Sequence, residues 1–200
     1  MLISEPILDY DQALDAFAAS NGARNVPGLY HAVRKLGYFS SGDRSAAAVM
    51  RTGRGACTAK HILLRDLLRR HGERAEVELV AGDFAAGIPD ADSMPASLRS
   101  MIRAAGVVDF HCYVVWQGPD REIRLDATWP DALAAHGFGM NADWAGIGHT
   151  RLAITPVEIP LRTEDVIAAK ARLLADLTAH DAEKRLKFLK LLSDWIVTVS

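Results

Sequence analysis

The sequence has few cysteines, no excess of charge of one sign and no long apolar run. Its 200 residues include two cysteines, too few for a disulfide framework, a four-thiolate zinc site or a typical iron–sulfur cluster. Twenty-three basic residues stand against 25 acidic ones, so bulk charge gives no argument for nucleic-acid binding. No apolar run approaches the roughly 20 residues that cross a bilayer. We therefore expect neither a nucleic-acid nor a membrane partner.

The N-terminus also lacks the pattern of a secretory signal. Residues 1–6 do not place an apolar segment after a basic one. We expect a cytoplasmic protein with reduced thiols, so each cysteine needs its own explanation. The length suits a single domain over residues 1–200, with a core that requires no disulfide, metal or cofactor.

The hydrophobic pattern predicts helices first and strands afterwards. Helices are predicted over residues 11–20, 27–36, 56–71, 94–105, 163–177 and 182–197, with a short stretch ending near residue 51 and a helical turn over 130–136. Strands are predicted over residues 75–80, 107–116, 121–128 and 152–159, and a loop over 81–93. This order indicates an α+β fold with extra N- and C-terminal helices. The recognisable core covers about residues 51–130, and a helical extension covers about 163–198.

The helix over residues 56–71 has one apolar face. Cys57 falls on the same arc as four leucines, whereas the arginines and Asp66 fall on the other side. Lys60 and Ile62 break the pattern, because the lysine lies within the apolar arc and the isoleucine outside it. Cys57 is therefore predicted in the first turn, facing inward.

A hairpin is predicted around Gly118 and Pro119. If its arms pair symmetrically about these two residues, His111 lies directly opposite Asp126, with Cβ atoms about 5 Å apart. The face behind this pair is then apolar throughout: Cys112, Val114, Trp116, Ile123 and Leu125. A one-residue slip would bury the aspartate in that apolar layer at high cost. The favoured register thus sets an imidazole beside a carboxylate.

Cys57, His111 and Asp126 suit nucleophilic catalysis by a thiol. They would supply the nucleophile, the base and the group that orients the imidazole. A helix N-terminus and a neighbouring imidazolium both lower a thiol pKa. The backbone N–H of Cys57 would face a developing oxyanion, because first-turn amides have no partner within the helix. Three residues that precede the helix are candidates for a second donor: Tyr38, Ser40 and Ser41.

Three segments resemble the motifs of one family. Residues 55–60 (Gly-Ala-Cys-Thr-Ala-Lys) and the leucines after them look like the cysteine helix of the transglutaminase-like superfamily. Residues 110–116 resemble its histidine strand, and residues 125–129 (Leu-Asp-Ala-Thr-Trp) resemble its aspartate strand. The order of the three also matches. The resemblance implies a papain-like α+β core, a cysteine helix packed on a small antiparallel sheet, and thioester chemistry by Cys57, His111 and Asp126.

The resemblance also bears on the reaction. The family includes protein-crosslinking transglutaminases, peptidases, amidases and members that have lost activity. The calcium loop and β-sandwich domains of the animal crosslinking enzymes are not recognised in this sequence, which favours hydrolysis over crosslinking. We therefore expect a cysteine-dependent amide hydrolase or acyltransferase that acts on a peptide, a protein or a small amide.

Other interpretations of the same residues stay open. A buried packing thiol at Cys57 would fit a binding or scaffold module without turnover. A metal site of Cys57, His61 and His111 would leave Asp126 as the partner of a ligand. His61 itself suits a substrate contact, an alternative base or a structural histidine. Cys112 is expected to pack in the apolar layer.

Three further features bear on substrates and partners. Trp129 is predicted to wall the substrate cleft or to pack in the core, and Tyr38 is a second substrate-binding candidate. The basic stretch over residues 51–74 suits a solvated helix face or an acidic partner. An apolar stripe in the C-terminal helix would pack on the core or form a homodimer contact: Leu186, Leu189, Leu192 and Ile196.

Overall fold

A computed structural model describes residues 9–40, 42–158 and 160–199. Residues 1–6, which carry the expectation about a secretory signal, and Ser41 lie outside these ranges. The described helices are α1 (Tyr10–Ser20), α2 (Val26–Arg34), α3 (Ala46–Thr52), α4 (Cys57–Arg70), α5 (Ala96–Ala104), α6 (Val166–Ala175) and α7 (Ala179–Val199). The strands are β1 (Ala75–Asp83), β2 (Val108–Gln117), β3 (Glu122–Leu125) and β4 (Leu161–Thr163), with 3-10 turns at Ala85–Gly87 and Asp131–His136. The predicted α+β class is confirmed.

The four strands form one antiparallel sheet in the order β3-β2-β1-β4. β1 pairs with β2 along its whole length, from Ala75 opposite Trp116 to Asp83 opposite Val108. β3 is shorter and pairs only with the second half of β2, Val114 to Gln117. In the part of the chain that the structure describes, the first half of β2, which contains His111, therefore has no strand on that side.

Helices cover both faces of the sheet. On one face, α1 to α4 and α6 bury an apolar cluster that includes Leu63, Leu67, Val77 and Cys112. On the other face, α5, α7 and the two 3-10 turns bury a second cluster around Phe188. Because both faces are covered, β2 is buried over all but its end residues. None of the described helices has the length and apolar character needed to cross a membrane.

The C-terminal helix packs mainly on this second cluster. Leu189, Leu192 and Ile196 are buried there, whereas Leu186 is exposed. Three of the four residues of the apolar stripe thus contact the core, as expected if the stripe packs on the core and does not form a homodimer contact. In the basic segment, Arg69 pairs with Glu164 and Arg70 pairs with Asp15 on the helix surface.

The predicted register of the hairpin is wrong by two residues. Leu125 lies opposite Val114, whereas symmetry about Gly118 and Pro119 would place it opposite Cys112. The N–H of Gly118 donates to the carbonyl of Arg121, so the loop spans four residues and its centre moves towards Asp120. Because side chains alternate with a period of two, a two-residue shift keeps every residue on its predicted face.

The last predicted strand is also wrong. Residues 152–159 form no strand over their described part, and Pro156 makes only an isolated bridge to Gly82. A proline has no N–H to donate to a ladder, which interrupts pairing at that point. The fourth strand is instead β4, which pairs with Val77 to Leu79. β1 also runs three residues beyond its predicted end, into the predicted loop.

Candidate active site

Cys57 is the first residue of α4 and thus lies in the first helical turn, as predicted. Helices α1, α2, α3 and α6 begin with a side-chain cap, but α4 begins after Ala56, which offers none. Gly55 lets the chain approach α3 closely, since a Cβ there would lie 2.6 Å from Val49 Cγ2. Within the described residues the N–H of Cys57 has no hydrogen-bond partner. The first turn of α4 therefore keeps an uncapped amide next to the thiol.

His111 and Asp126 are in direct contact, although they are not opposite each other in the ladder. His111 Nε2 lies 2.7 Å from Asp126 Oδ2. Asp126 follows the last residue of β3, where the chain leaves the sheet and reaches the unpaired half of β2. The predicted imidazole–carboxylate pair is thus present, but a bend in the chain after β3, and not strand pairing, brings the two side chains together.

Backbone groups hold the Asp126 carboxylate in place. Oδ2 also accepts a hydrogen bond from the N–H of Ala153 at 2.7 Å, and Oδ1 accepts one from the N–H of Thr128 at 2.9 Å. Burial alone would raise the pKa of Asp126, but the charge of His111 and its hydrogen bond to the carboxylate lower it well below its ordinary value. The carboxylate therefore stays ionised and fixes the orientation of the ring.

An ordinary thiol has a higher pKa than an imidazole, but for Cys57 and His111 this order is reversed. Burial disfavours both the thiolate and the imidazolium, but Asp126 and the Cys57 sulfur raise the pKa of His111 to about 10. The pKa of Cys57 is lowered well below its ordinary value by the Cys112 thiol, by Lys170 and by His111, against the opposing effect of burial. Because Nε2 of His111 is bound to Asp126, Nδ1 is the ring nitrogen that Asp126 leaves free. The opposite pKa shifts of Cys57 and His111 favour a thiolate–imidazolium pair.

Cys112 lies closer to the site than its strand position suggests. It is fully buried in the apolar layer, as predicted, and both cysteines are free. However, α4 packs on that same face, so Cys112 Sγ lies 3.4 Å from Thr58 Oγ1, which is itself 4.0 Å from Cys57 Sγ. The Cys112 thiol is among the groups that lower the pKa of Cys57.

His61 lies beneath the site and has no exposed surface. Its Nδ1 donates to the carbonyl of Cys57 at 2.8 Å, and its Nε2 accepts the N–H of Ala127 at 2.8 Å. Burial lowers its pKa to about 4. Both ring nitrogens are thus engaged with backbone groups, which favours the structural interpretation of His61 and leaves no nitrogen for a substrate or a metal ion.

The aromatic candidates form a stack beside the cysteine. Tyr38 lines the cleft that contains Cys57, and its ring centroid lies 4.9 Å from that of Trp129. Trp129 packs on Phe84 and Phe138 and is not among the described residues that line this cleft. Tyr38 therefore borders the cleft, and Trp129 packs behind it.

The cleft opens at the N-terminal ends of α4 and β2 and has a volume of about 440 Å³. Its walls come from the segment before α4 and from the C-terminal helices α6 and α7. Ser40 lines it, but its N–H donates to Ser193 Oγ at 3.3 Å, so this amide is already engaged. Ser41, the third candidate for a second donor, lies outside the described residues.

Sequence reasoning missed three buried charges in this cleft. Lys170 on α6 places Nζ 3.7 Å from Cys57 Sγ and 4.0 Å from Asp109 Oδ1. Arg185 on α7 donates from Nε to the same carboxylate oxygen at 2.6 Å. One signal was available, since both cations occupy positions within the apolar stripes of their helices, near Val166 and Phe188.

A metal site is not evident in this part of the molecule. Within residues 9–40, 42–158 and 160–199, no group of three or more His, Cys, Asp or Glu side chains is arranged to hold a metal ion. The proposed ligand set of Cys57, His61 and His111 fails on His61, whose two nitrogens are used by the backbone.

Comparisons with known proteins return little. No protein-family model matches the chain, and no curated protein matches it. Among solved structures, part of the chain matches a "Putative Cysteine Protease from Cytophaga hutchinsonii" with a TM-score of 0.39 and 18% sequence identity. The match covers 60% of this chain and 38% of that one, so it spans little more than a third of that protein. At this TM-score we draw no functional argument from the likeness.

Proposed function

We propose that this protein is a cysteine-dependent amide hydrolase or acyltransferase with a papain-like core of the transglutaminase-like superfamily. One observation carries the proposal. Asp126 holds His111 at 2.7 Å, His111 lowers the pKa of the Cys57 thiol, and Cys57 begins a helix and lines a cleft. A carboxylate–imidazole–thiol series of this kind activates a nucleophile.

In the proposed reaction, the Cys57 thiolate attacks the carbonyl carbon of an amide, and the π electrons move to the oxygen. The N–H of Cys57 donates to this oxyanion. When the carbon–nitrogen bond breaks, the His111 imidazolium gives its proton to the leaving amine. The product of this half-reaction is a thioester on Cys57 with a neutral His111, still oriented by Asp126.

The second half-reaction releases the acyl group. Neutral His111 takes a proton from water or from an amine, which attacks the thioester carbon. Collapse of the second oxyanion breaks the carbon–sulfur bond and restores the Cys57 thiolate. Attack by water makes the protein a hydrolase, and attack by an amine makes it an acyltransferase. We propose hydrolysis as the main outcome, on a peptide, protein or small amide substrate, in the cytoplasm, where the two free thiols stay reduced.

Iodoacetamide alkylation followed by mass spectrometry tests the proposal without a known substrate. An ordinary thiol is only a few per cent ionised at pH 7, so a fully ionised Cys57 has roughly 30-fold more thiolate. We expect Cys57 to react much faster than Cys112, and His111→Ala to slow it about tenfold or more at pH 7. The exposed His180 supplies the matched control, since His180→Ala should leave the rate unchanged.

The result also separates this function from the alternatives. Slow and equal alkylation of both thiols in the folded protein would contradict the catalytic proposal and favour a binding or scaffold module. Fast alkylation of Cys57 would justify screening a peptide and amide library with the native protein. In that screen, product formation with and without an added primary amine distinguishes hydrolysis from acyl transfer.

A further inference from the structure

Lys170 is a charged side chain in an almost fully buried place. It lies in the middle of α6, is 3% exposed, and faces the cleft beside Cys57. A buried ammonium group is expensive unless it is paired. Its position in an apolar stripe therefore needs an explanation that packing alone does not supply.

The polar contacts of Lys170 leave most of its hydrogen-bonding capacity free. Within the described residues, Nζ contacts only Cys57 Sγ at 3.7 Å and Asp109 Oδ1 at 4.0 Å. An ammonium group has three donors, and neither of these distances is short. Asp109 is meanwhile held by Arg185 Nε at 2.6 Å and by the N–H of Phe110 at 2.8 Å.

Lys60 shows by contrast how a structural lysine is satisfied in the same molecule. It is fully buried, and its Nζ donates to the carbonyls of Arg34, Leu36 and Thr128 at 2.8–3.1 Å. Burial lowers its pKa to about 7. For Lys170 burial acts in the same direction, but the negative charges of Cys57 and Asp109 outweigh it and raise the pKa. Lys170 is thus held as a cation by anionic partners.

We propose that Lys170 is a catalytic residue of this site, where it stabilises negative charge first on Cys57 Sγ and then on the carbonyl oxygen of the substrate. The inference rests on the proposed function of Cys57. It assigns the second oxyanion donor to α6, in addition to the uncapped N–H of Cys57.

During attack by the thiolate, the negative charge moves only a short distance, from the sulfur to the carbonyl oxygen. As the carbon–sulfur bond forms, the thiolate loses its charge and the π electrons of the carbonyl move to the oxygen, which is two bonds from the sulfur. An ammonium group beside the sulfur is therefore close enough to donate to that oxygen. Lys170 keeps its proton throughout, and collapse of the intermediate returns the electron pair to the carbonyl as the amine leaves with a proton from His111.

Two neutral substitutions and one conservative substitution test this role. Lys170→Met and Lys170→Gln remove the charge, Lys170→Arg keeps it, and Lys187→Met is the matched control at an exposed position of α7. We would measure the pH profile of iodoacetamide alkylation at Cys57, and its acylation by p-nitrophenyl acetate from the burst of nitrophenol.

For the neutral variants we expect the alkylation profile to shift to higher pH and acylation to fall by about 10²–10³-fold, the usual effect of losing one oxyanion donor. Lys170→Arg should restore the alkylation profile in large part, and Lys187→Met should match the parent protein. Neutral variants that fold and acylate at the parent rate would overturn the inference.

The same experiments separate a failure of this inference from a failure of the proposed function. If His111→Ala slows alkylation but the neutral Lys170 variants change neither alkylation nor acylation, the thiol chemistry stands and Lys170 has no part in it. If Cys57 of the parent protein alkylates like an ordinary thiol, the proposed function itself fails. Should the variants not fold, ¹³C-lysine NMR of the parent protein decides, because alkylating Cys57 removes the negative partner and should lower the pKa of Lys170. An unchanged lysine titration would overturn the inference.

Discussion

Replacing His61 with glutamine tests whether the core beneath the site holds a neutral imidazole. Nδ1 donates to the carbonyl of Cys57, and Nε2 accepts from the N–H of Ala127. A protonated ring has no acceptor for the Ala127 amide, and its charge would be fully buried. Glutamine keeps one donor and one acceptor but does not titrate in this range.

The size of the effect follows from the pKa of His61. It falls from an ordinary value of 6.5 to about 4 in the folded protein, mainly because of burial. Between these two pH values the unfolded chain binds a proton that the folded chain does not, so the free energy of unfolding rises with pH. Each pKa unit corresponds to about 1.4 kcal/mol. As the pH falls from 6.5 to 4, the titration of His61 therefore lowers the free energy of unfolding by about 3 kcal/mol.

Urea unfolding at a series of pH values measures this difference. We expect the stability of the parent protein to fall by about 3 kcal/mol more than that of His61→Gln over this pH range, whatever the stability of the variant at pH 7. All other titrating groups are common to the two proteins. Parallel curves for the two proteins, or NMR titration of the His61 ring near pH 6.5 in the folded state, would refute the reasoning.

Two further substitutions test the surroundings of the site. Lys60→Met would leave two buried carbonyls and one partly buried carbonyl without their donor, so urea unfolding should show a loss of about 3 kcal/mol. The exposed Lys187→Met should change stability by less than about 0.5 kcal/mol, and an equally small effect of Lys60→Met would contradict this interpretation. Gly82→Ala would place a Cβ 2.6 Å from Ile154 Cδ1 and 2.7 Å from the carbonyl oxygen of Thr155. We expect it to destabilise the fold by about 1–3 kcal/mol, measured by thermal unfolding, and a Tm equal to that of the parent protein would argue against this close packing.

Local patterns predicted the helix and strands that carry the candidate triad. The apolar arc of the helix over residues 56–71 and the glycine after it were enough to place Cys57 in a first turn, as α4 confirms. His111 and Asp126 were assigned to one face of a hairpin. The two-residue error keeps that face, and the contact itself forms where the chain bends after β3. The side of the sheet on which a residue lies was therefore predicted more reliably here than the residue paired with it on the neighbouring strand.

Local sequence patterns could not predict the features that depend on contacts between distant parts of the chain. Pro119 does not by itself decide whether a hairpin loop has two or four residues, so the centre of the turn was misplaced. β4 has three residues and forms only because β1 offers it a free edge. Lys170 lies 113 residues from Cys57 in the chain, and only the packing of α6 beside α4 and β2 brings the two together.

The buried charges of the site favour the ionised form of Cys57. With a neutral thiol and a neutral imidazole, the Asp126 carboxylate would have no cation at hydrogen-bond distance among the described residues. Lys170 and Arg185 would carry one positive charge more than Asp109 can balance. Transfer of one proton from Cys57 to His111 corrects both imbalances, because it places a cation beside Asp126 and an anion beside Lys170. Buried charges are tolerated when each has a partner of opposite sign. The C-terminal helices therefore act on the reactivity of the thiol through charge, although they lie outside the segment that resembles a known family.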